Sequence, residues 1–301
     1  MATPRTAVVM TIGAAALFGT SGTAQALGPE GITPIAVAEM RLGLGGLLMM
    51  AMLPLLGHRI SELGHFFRLP LVWFSALGSM LFQVLYFTGV QYAGVALGSL
   101  LIMGSVPVFA GILGAFFGHR ISGTWVAATA VCIAGLVLLS LDGIHGGDAI
   151  GVAAAITGGF CGATFVLATK TLIERGEAPV PANIASYLIA GVVLLPVLFL
   201  LPQSLNWVLT LSGAALALYL GFFAMALPNV LWVKGLTALS PGPSSTLMLT
   251  EPAVATLLGV FVLGETLAVI GVIGLVLVMG GLLFQGLSLA KMPDPVEPTP
   301  V

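Results

Sequence analysis

The 301-residue chain is 58% hydrophobic and only 7% charged, with a formal net charge of −2. A soluble globular domain has roughly 25% charged residues, so this chain lacks the polar surface that water on all sides requires. The small negative net charge also excludes the basic surface that is usual in nucleic-acid-binding proteins. The composition therefore predicts a protein whose surroundings are the lipid bilayer, with no nucleic-acid partner.

Apolar runs of about 20 residues follow one another along the chain, and each is long enough to cross a bilayer as an α-helix. Because lipid offers the backbone no hydrogen-bond partners, such runs form helices rather than isolated strands. The alternating polarity of membrane β-barrels, in segments of about 10 residues, is not found in the sequence. Ten spans are predicted, at residues 6–27, 33–56, 70–91, 95–117, 123–141, 149–172, 182–201, 209–233, 240–263 and 267–288.

The first span imitates a cleavable signal peptide, because Arg5 precedes an apolar run that ends in TAQAL at 23–27. We interpret it as the first membrane helix, since its removal would break the repeat described below. At the other end, residues 291–301 are polar and rich in proline. This composition predicts a disordered cytoplasmic tail.

Lys and Arg in short loops concentrate on the cytoplasmic side of a membrane protein. If the N-terminus is cytoplasmic and the ten spans alternate, that side receives Arg5, Arg59, Arg68, Arg120, Arg175 and Lys291. The opposite side then receives Glu30, Asp142, Asp148 and Glu265. The sequence therefore predicts a multi-pass protein of the inner (plasma) membrane with both termini in the cytoplasm.

The two halves of the chain repeat each other at an offset of 145 residues. At this offset Ala93, Ser99, Pro107, Ala110, Leu113, Gly114, Phe116, Val131 and Gly135 meet identical residues, namely Ala238, Ser244, Pro252, Ala255, Leu258, Gly259, Phe261, Val276 and Gly280. Upstream, residues 83–86 align with 229–232 after a slip of one residue. The chain therefore divides into repeats at 1–145 and 146–290, each with five spans. Because five is odd, the second repeat enters the membrane from the opposite side, a plan that is common among secondary transporters.

The second repeat has a mid-helix Glu251-Pro252, a turn at Leu263-Gly264-Glu265 and a glycine-rich last helix. This pattern resembles the EamA repeat of the drug/metabolite transporter superfamily, and the chain looks most like the bacterial amino-acid exporters of the YddG type. The first repeat keeps Pro107 but has Val106 where the second has Glu251. The resemblance implies an all-α protein of ten helices around a central cavity, which the two halves open alternately to either side.

Enzymes are not indicated by the sequence. It contains neither the HExxH motif of a zinc protease nor the GxxxxGK[ST] loop of an ATPase. We therefore predict a transporter that uses no metal or cofactor and takes a small molecule as its substrate.

Two prolines are predicted to act as hinges. Pro107 and Pro252 each remove a backbone hydrogen bond from a spanning helix, which lets the helix bend. The freed carbonyl could be satisfied by Thr250 in the second repeat. The alternative is a static kink that only shapes the packing.

Three charged residues fall inside the spans and away from their ends, whereas Lys170 lies at the cytoplasmic end of its span. A carboxylate at mid-membrane costs about 2.5–3.5 kcal/mol on insertion scales, so Glu251 is either a coupling acid that exchanges protons or a protonated structural acid. Arg41 could hold a substrate carboxylate, pair with an acid on another helix, or extend towards the membrane surface. Glu39 is a second candidate for coupling, and it does not share a helix face with Arg41 because the two are separated by two positions.

Aromatic and amide residues are predicted to line the cavity, since amides and phenols in lipid need partners: Gln83, Tyr86, Tyr187, Tyr219, Asn229 and Trp232. Such a lining suits a zwitterion with an apolar or aromatic side chain, although hydrogen bonding between helices would also explain each residue. The predicted function is export of amino acids and related metabolites by alternating access. A broader drug and metabolite exporter and a proton-coupled antiporter are the alternatives.

Overall fold

A computed structural model describes residues 3–141, 148–200 and 206–291 of the chain. These residues form long helices, which we number α1 (Pro4–Ala26), α2 (34–52), α3 (Pro70–Ala93), α4 (Val95–Phe116), α5 (Gly123–Ser140), α6 (Ala149–Glu174), α7 (Pro179–Leu200), α8 (Leu211–Leu236), α9 (Pro241–Leu263) and α10 (Val269–Ala290). Within the described residues, nine of them are individually long and apolar enough to span a membrane, and α2 supplies the tenth span in an interrupted form. The predicted all-helical, multi-pass architecture is confirmed.

Three of the helices are interrupted. Helix α2 consists of Pro34–Glu39, a π turn at Met40–Leu44 and Gly45–Met52, and α8 has a π turn at Phe222–Ala226. Helix α9 breaks between Pro241–Leu247 and Thr250–Leu263. A π turn inserts one extra residue into a helix and is frequent at functional sites. The sequence did not predict the two π turns, whereas the break in α9 lies in the turn before Pro252, one of the two predicted hinges.

The α2–α3 connection is short and ordered. Helix α2 ends four residues before its predicted boundary at residue 56, because Pro54 follows at once and begins a 3-10 turn, Pro54–Leu56. In the next turn, Ile60–Glu62, the Glu62 carboxylate accepts from the Arg59 amide at 2.9 Å and contacts His58 Nδ1 at 3.0 Å. These two interactions, first the backbone hydrogen bond and then the histidine contact, lower the pKa of Glu62.

The helices pack in pairs that cross between the two halves. Helix α1 lies against α8 and the second part of α9, and α6 lies in the same way against α3 and α4. Helices α5 and α10 cross so closely that a Cβ at Gly135 would lie 2.6 Å from the carbonyl oxygen of Gly274. These matching contacts agree with the predicted fold of two five-helix repeats of opposite topology. The predicted border between residues 145 and 146, Asp142 and all but the first residue of the predicted tail lie outside the described residues.

Helices α4 and α9 lie together at one end of the bundle. Helix α4 packs against the first part of α9, where Gly114 faces Pro241, while the second part of α9 packs against α1. At the opposite end, α4 begins directly after α3 through the single residue Gly94, whose φ of +83° is disfavoured for side chains with a Cβ. This arrangement leaves space between the beginning of α4 and the end of α9.

Candidate functional site

A cavity of about 570 Å³ lies between the two halves and has walls from α1 to α9. This volume falls within the range of roughly 300–1,000 Å³ that is typical of small-molecule sites. The lining reaches Gln25, Val95 and Ser140, at the end of the bundle that contains Gly94, and Val95 is 70% exposed there. We call this the open end of the cavity, and the end where Gly114 faces Pro241 the closed end.

The wall of the first half contains the cavity's cation. Arg41 lies in the π turn of α2, and its guanidinium carbon is 5.7 Å from the ring centre of Phe18 on α1. Over the described residues Arg41 makes no ion pair, and its buried Nε has no hydrogen-bond partner. An arginine is charged in essentially all protein environments, so this wall presents a positive charge that a ligand can approach.

The second half builds the corresponding wall without a charge. Tyr187 on α7 lies 146 residues after Arg41, the same offset that pairs Gln83 with Asn229. Its ring lies edge-on to Phe165 of α6, with 5.7 Å between ring centres. Both halves therefore place an α2 or α7 residue against a phenylalanine of α1 or α6, but only the first half supplies a cation in this position.

The predicted amides and their aromatic neighbours lie in the cavity walls. Gln83 and Tyr86 of α3 and Asn229 and Trp232 of α8 all line the cavity. The Asn229 Nδ2 donates to the Met225 carbonyl at 2.9 Å, so part of its hydrogen-bonding capacity is used within its own helix. Trp232 stacks on Phe165, with ring centres 5.2 Å apart and an interplanar angle of 24°. These stacked rings give the second half a flat apolar surface.

Glu251 lines the cavity from α9 and is its acidic side chain. The backbone here is held by close packing, since a Cβ at Gly19 of α1 would lie 2.6 Å from the Glu251 carbonyl oxygen. Among the described residues Glu251 forms no ion pair, and neither does Arg41. The cavity therefore contains an acid and a base that do not neutralise each other by direct contact.

Each of the two predicted hinges has an equivalent hydrogen bond from a hydroxyl to a helix carbonyl. The sequence analysis predicted part of this for Thr250. The Thr250 hydroxyl donates to the Leu247 carbonyl at 2.8 Å, and the Glu251 amide donates to the Met248 carbonyl at 3.0 Å. Thr250 thus satisfies the Leu247 carbonyl in the broken turn. The carbonyl that Pro252 leaves without its usual helix partner is the next one, that of Met248. In α4, the Ser105 hydroxyl donates to the Ile102 carbonyl at 3.1 Å, which is the same bond at an offset of 145 residues.

Three of the predicted site residues do not line the cavity. The Tyr219 hydroxyl donates to Thr20 Oγ1 at 2.8 Å, and Tyr219 packs against Phe223 of its own helix. Glu39 is 6% exposed and is not part of the lining; it lies two positions before Arg41, and residues so spaced do not share a helix face. Pro107 is buried within α4, whereas its neighbour Val106 forms part of the wall. Pro252, the second predicted hinge, does line the cavity.

Sequence reasoning missed several lining residues that carry no charge: Phe18, Ser79, Met103, Phe165, Met225 and Met248. The repeat contained a signal for some of them, because Met103 and Met248 are identical residues at the offset of 145. Methionine side chains adapt easily to different apolar shapes. A pair of them on α4 and α9 gives the cavity a deformable wall next to each proline.

Comparisons with known proteins place the chain among transporters. The profile of the EamA-like transporter family matches residues 5–141 and 149–286. The uncharacterized transporter YwfM of Bacillus subtilis (strain 168) is 36% identical over 274 residues, which cover 90% of each chain. The threonine/homoserine exporter RhtA of Escherichia coli (strain K12) is 29% identical over 290 residues, or 94% of this chain and 92% of that one.

A solved crystal structure of another protein has the same fold. It superposes with a TM-score of 0.77 at 20% sequence identity and covers 92% of this chain and 95% of its own. The agreement over nearly the full length of both chains supports the arrangement of helices described above.

Proposed function

The chain belongs to the EamA-like transporter family, and from this premise we propose that it exports amino acids and related small zwitterions across the inner membrane by alternating access. Family membership makes it a multi-pass membrane transporter with a small-molecule substrate. The substrate class is our proposal, and it rests on the charges in the cavity.

The observation that carries the proposal is the presence of unpaired Arg41 and Glu251 in one cavity. An amino acid has a carboxylate and an ammonium group, and these charges complement a cation and an acid that do not contact each other. Leaving either charge without a partner in a membrane protein is costly, so a ligand that satisfies both has a clear electrostatic advantage. The aromatic and methionine walls suit an apolar or aromatic side chain.

Substrates with several phosphate groups fit the cavity less well. A sugar phosphate or a sugar nucleotide needs several cationic groups for recognition, and Arg41 is the cation in the lining of the cavity as described. The relative RhtA, which is named as a threonine/homoserine exporter, supports the amino-acid class. Its side-chain preference does not carry over to this chain, because the walls here are rich in aromatic and methionine residues.

Two drives fit the geometry. The substrate gradient alone can drive alternating access, with Glu251 serving as a contact for the substrate ammonium. Proton coupling is the second candidate, and it is favoured by the position of Glu251 in the cavity without a basic partner.

The excess of Lys and Arg in the loops on one side of the membrane further supports cytoplasmic termini, with export away from that side.

The test is uptake of radiolabelled amino acids by proteoliposomes containing the purified protein, with and without an imposed pH gradient. We expect saturable uptake of apolar or aromatic amino acids. Arg41→Gln should reduce it by about 10- to 100-fold, because a charge-assisted hydrogen bond contributes about 1.5–3 kcal/mol. Tyr219→Phe, outside the cavity lining, should retain wild-type uptake and serves as the matched control.

The outcomes separate the alternatives. Uptake that ignores the pH gradient supports a facilitator, and uptake that the gradient accelerates supports proton coupling. If no amino acid is taken up, the proposed substrate class is wrong, and a panel of cationic and neutral drugs tests the broader exporter. If Arg41→Gln is fully active, the assignment of the substrate carboxylate to Arg41 is wrong.

A further inference from the structure

A tryptophan is wedged between α4 and α9 at the closed end. Trp125, on α5, fits against two positions that have no Cβ, Gly111 of α4 and Gly242 of α9. A Cβ at Gly111 would overlap the Trp125 ring, and one at Gly242 would lie 2.9 Å from Trp125 Cε2. The indole therefore occupies the junction of the two halves, and glycine is required on both sides of it.

Hydrogen bonds hold this wedge to the second half. The Trp125 Nε1 donates to Thr246 Oγ1 at 3.0 Å, and the Thr129 hydroxyl lies 2.8 Å from the same oxygen. Since the Thr246 hydroxyl donates to the Gly242 carbonyl at 3.1 Å, its oxygen is left to accept, and Thr129 is the donor. Two side chains of α5 in the first half thus bond to a single hydroxyl of α9 in the second. We call these two hydrogen bonds, from Trp125 and Thr129 to Thr246, the latch.

Two hydroxyl groups beside this latch are buried without partners. Ser244 is 0% exposed and Ser245 is 2% exposed, and neither Oγ has a hydrogen-bond partner within the described ranges. Burying an unpaired hydroxyl is unfavourable. Ser245 already belongs to the cavity lining, whereas Ser244, one residue closer to the closed end, does not. The buried hydroxyl of Ser244 therefore calls for an explanation, such as a second state in which it meets water or a ligand.

The repeat indicates what that second state is. At the offset of 145 residues, Ser244 corresponds to Ser99 and Ser245 to Leu100, and both residues of α4 line the cavity near its open end. In an inverted repeat, exchanging the conformations of the two halves converts a structure open at one end into one open at the other. The part of α9 between Pro241 and Ser244, which does not line the cavity here, would then line an open passage, as the first part of α4 does in this structure.

We propose that the cavity extends past Ser245 and Ser244 into a second passage through the closed end, and that the Trp125 side chain blocks this passage and must move for it to open. The proposal rests on alternating access in the proposed function. In the open passage the two hydroxyls contact water and the polar ends of the passing zwitterion. The latch to Thr246 sets how often the passage opens, so it controls the exchange between the two states.

The second repeat has no residue equivalent to Trp125 in the latch. At the offset of 145 residues the counterpart of Trp125 is Ile270, which is 37% exposed and cannot donate a hydrogen bond. Within the described residues, the open end therefore has no counterpart of the hydrogen bond from Trp125 at the closed end. We expect the protein to rest with the passage beside Ser244 closed.

Cysteine accessibility tests the proposal without any substrate. The Ser244→Cys and Ser99→Cys variants are made in a Cys132→Ala, Cys161→Ala background, since both native cysteines are free. A membrane-impermeant thiol reagent is added separately to each side of oriented vesicles. We expect Ser99→Cys to react quickly from one side and Ser244→Cys to react slowly, and from the opposite side.

Removing the latch should change these rates in opposite directions. Trp125→Phe deletes the indole donor, and the labelling of Ser244→Cys should rise by up to about tenfold, as loss of a hydrogen bond permits, while that of Ser99→Cys falls. Thr246→Val, which removes the acceptor but leaves the ring in place, should act in the same direction. Trp73→Phe is the control, because Trp73 is exposed and donates to the Phe67 carbonyl away from the latch.

Unchanged labelling of Ser244→Cys in both latch variants, each eluting as a folded monodisperse protein, would overturn the proposal, as would labelling of both cysteines from the same side. If Trp125→Phe does not fold, Thr246→Val decides alone. A labelling response in a protein that takes up no amino acid would contradict the proposed substrate class but leave the passage intact. Amino-acid uptake with no labelling response would do the reverse.

Discussion

Helices α4 and α9 have the same backbone feature but different chemistry at it. In each, a hydroxyl two residues before the proline donates to a helix carbonyl, from Ser105 at 3.1 Å and from Thr250 at 2.8 Å. Yet α4 remains one continuous helix with Val106 before its proline, whereas α9 breaks next to Glu251. The comparison teaches which features the repeat shares: the proline and the hydroxyl before it belong to both halves, whereas the break and the acid belong to the second half alone.

The surroundings of the two prolines are matched as well. A glycine of the first helix of the opposite half approaches each position before the proline: Gly19 approaches the carbonyl of Glu251, and a Cβ at Gly162 would lie 3.2 Å from Val106 Cγ2. The packing around the two sites is thus the same in kind. Any functional difference between α4 and α9 should therefore follow from the acid and from the break.

The largest expected effect comes from removing the acid. Glu251→Gln should lower amino-acid uptake by about 10- to 100-fold, because it deletes the charge that interacts with the substrate ammonium. The matched change in α4, Val106→Thr, keeps the shape and should change uptake less than twofold. Uptake by proteoliposomes measures both, and equal losses in the two variants would mean that the acid has no special role.

An intermediate effect is expected from the prolines. Pro252→Ala restores an amide that can also bond to the Met248 carbonyl, which here accepts from the Glu251 amide. The added hydrogen bond would favour a continuous α9 by at most about 0.5–1.5 kcal/mol and slow exchange by about 2- to 10-fold. Pro107→Ala should have a smaller effect, because α4 is already continuous. The rate of exchange of labelled for unlabelled substrate measures this. If Pro107→Ala slows exchange more than Pro252→Ala, the assignment of the principal hinge to α9 is wrong.

The smallest expected effect comes from the equivalent hydroxyls of Ser105 and Thr250, whose removal should lower stability by the same amount in both halves. Ser105→Ala and Thr250→Val each delete one hydrogen bond to a helix carbonyl, worth about 0.5–1.5 kcal/mol. Both should lower the thermal unfolding temperature in detergent, by about 1–4 °C. A drop in one variant with none in the other would show that the two hydroxyls are not equivalent.

Much of the fold was predictable because it depends on patterns that lipid imposes. Uninterrupted apolar runs gave helices α3 to α6 nearly to the residue, and the odd number of spans in a repeat required the inversion. The π turns around Arg41 and Met225 were not predictable. They depend on how α2 and α8 fit together, where a Cβ at Gly45 would lie 2.7 Å from Met225 Cγ, and no residue pattern within a single helix encodes that contact.

The candidate site was predictable where a residue type is costly in lipid. Arg41, Glu251, Gln83 and Asn229 stand out in an apolar chain, and the structure places all four in the cavity wall. The same reasoning failed for Tyr219 and Glu39, because a polar group can also be buried away from the cavity, as Tyr219 is beside Thr20. Trp125 gave no signal at all, since its role depends on glycines that are distant in sequence.

We expect the single-residue turn at Gly94 to make the two halves move differently. Helices α3 and α4 pack closely there, since a Cβ at Gly98 would lie only 2.7 Å from the Gly89 backbone. We therefore expect them to behave as one rigid pair. Their counterparts α8 and α9 are joined by residues 237–240, and Lys170 of α6 donates to the Leu236 carbonyl at 3.0 Å, just before that link. If α4 changes its tilt, we therefore expect Gln83 and Tyr86 of α3 to move with it, whereas α9 should be able to tilt while Asn229 of α8 stays in place.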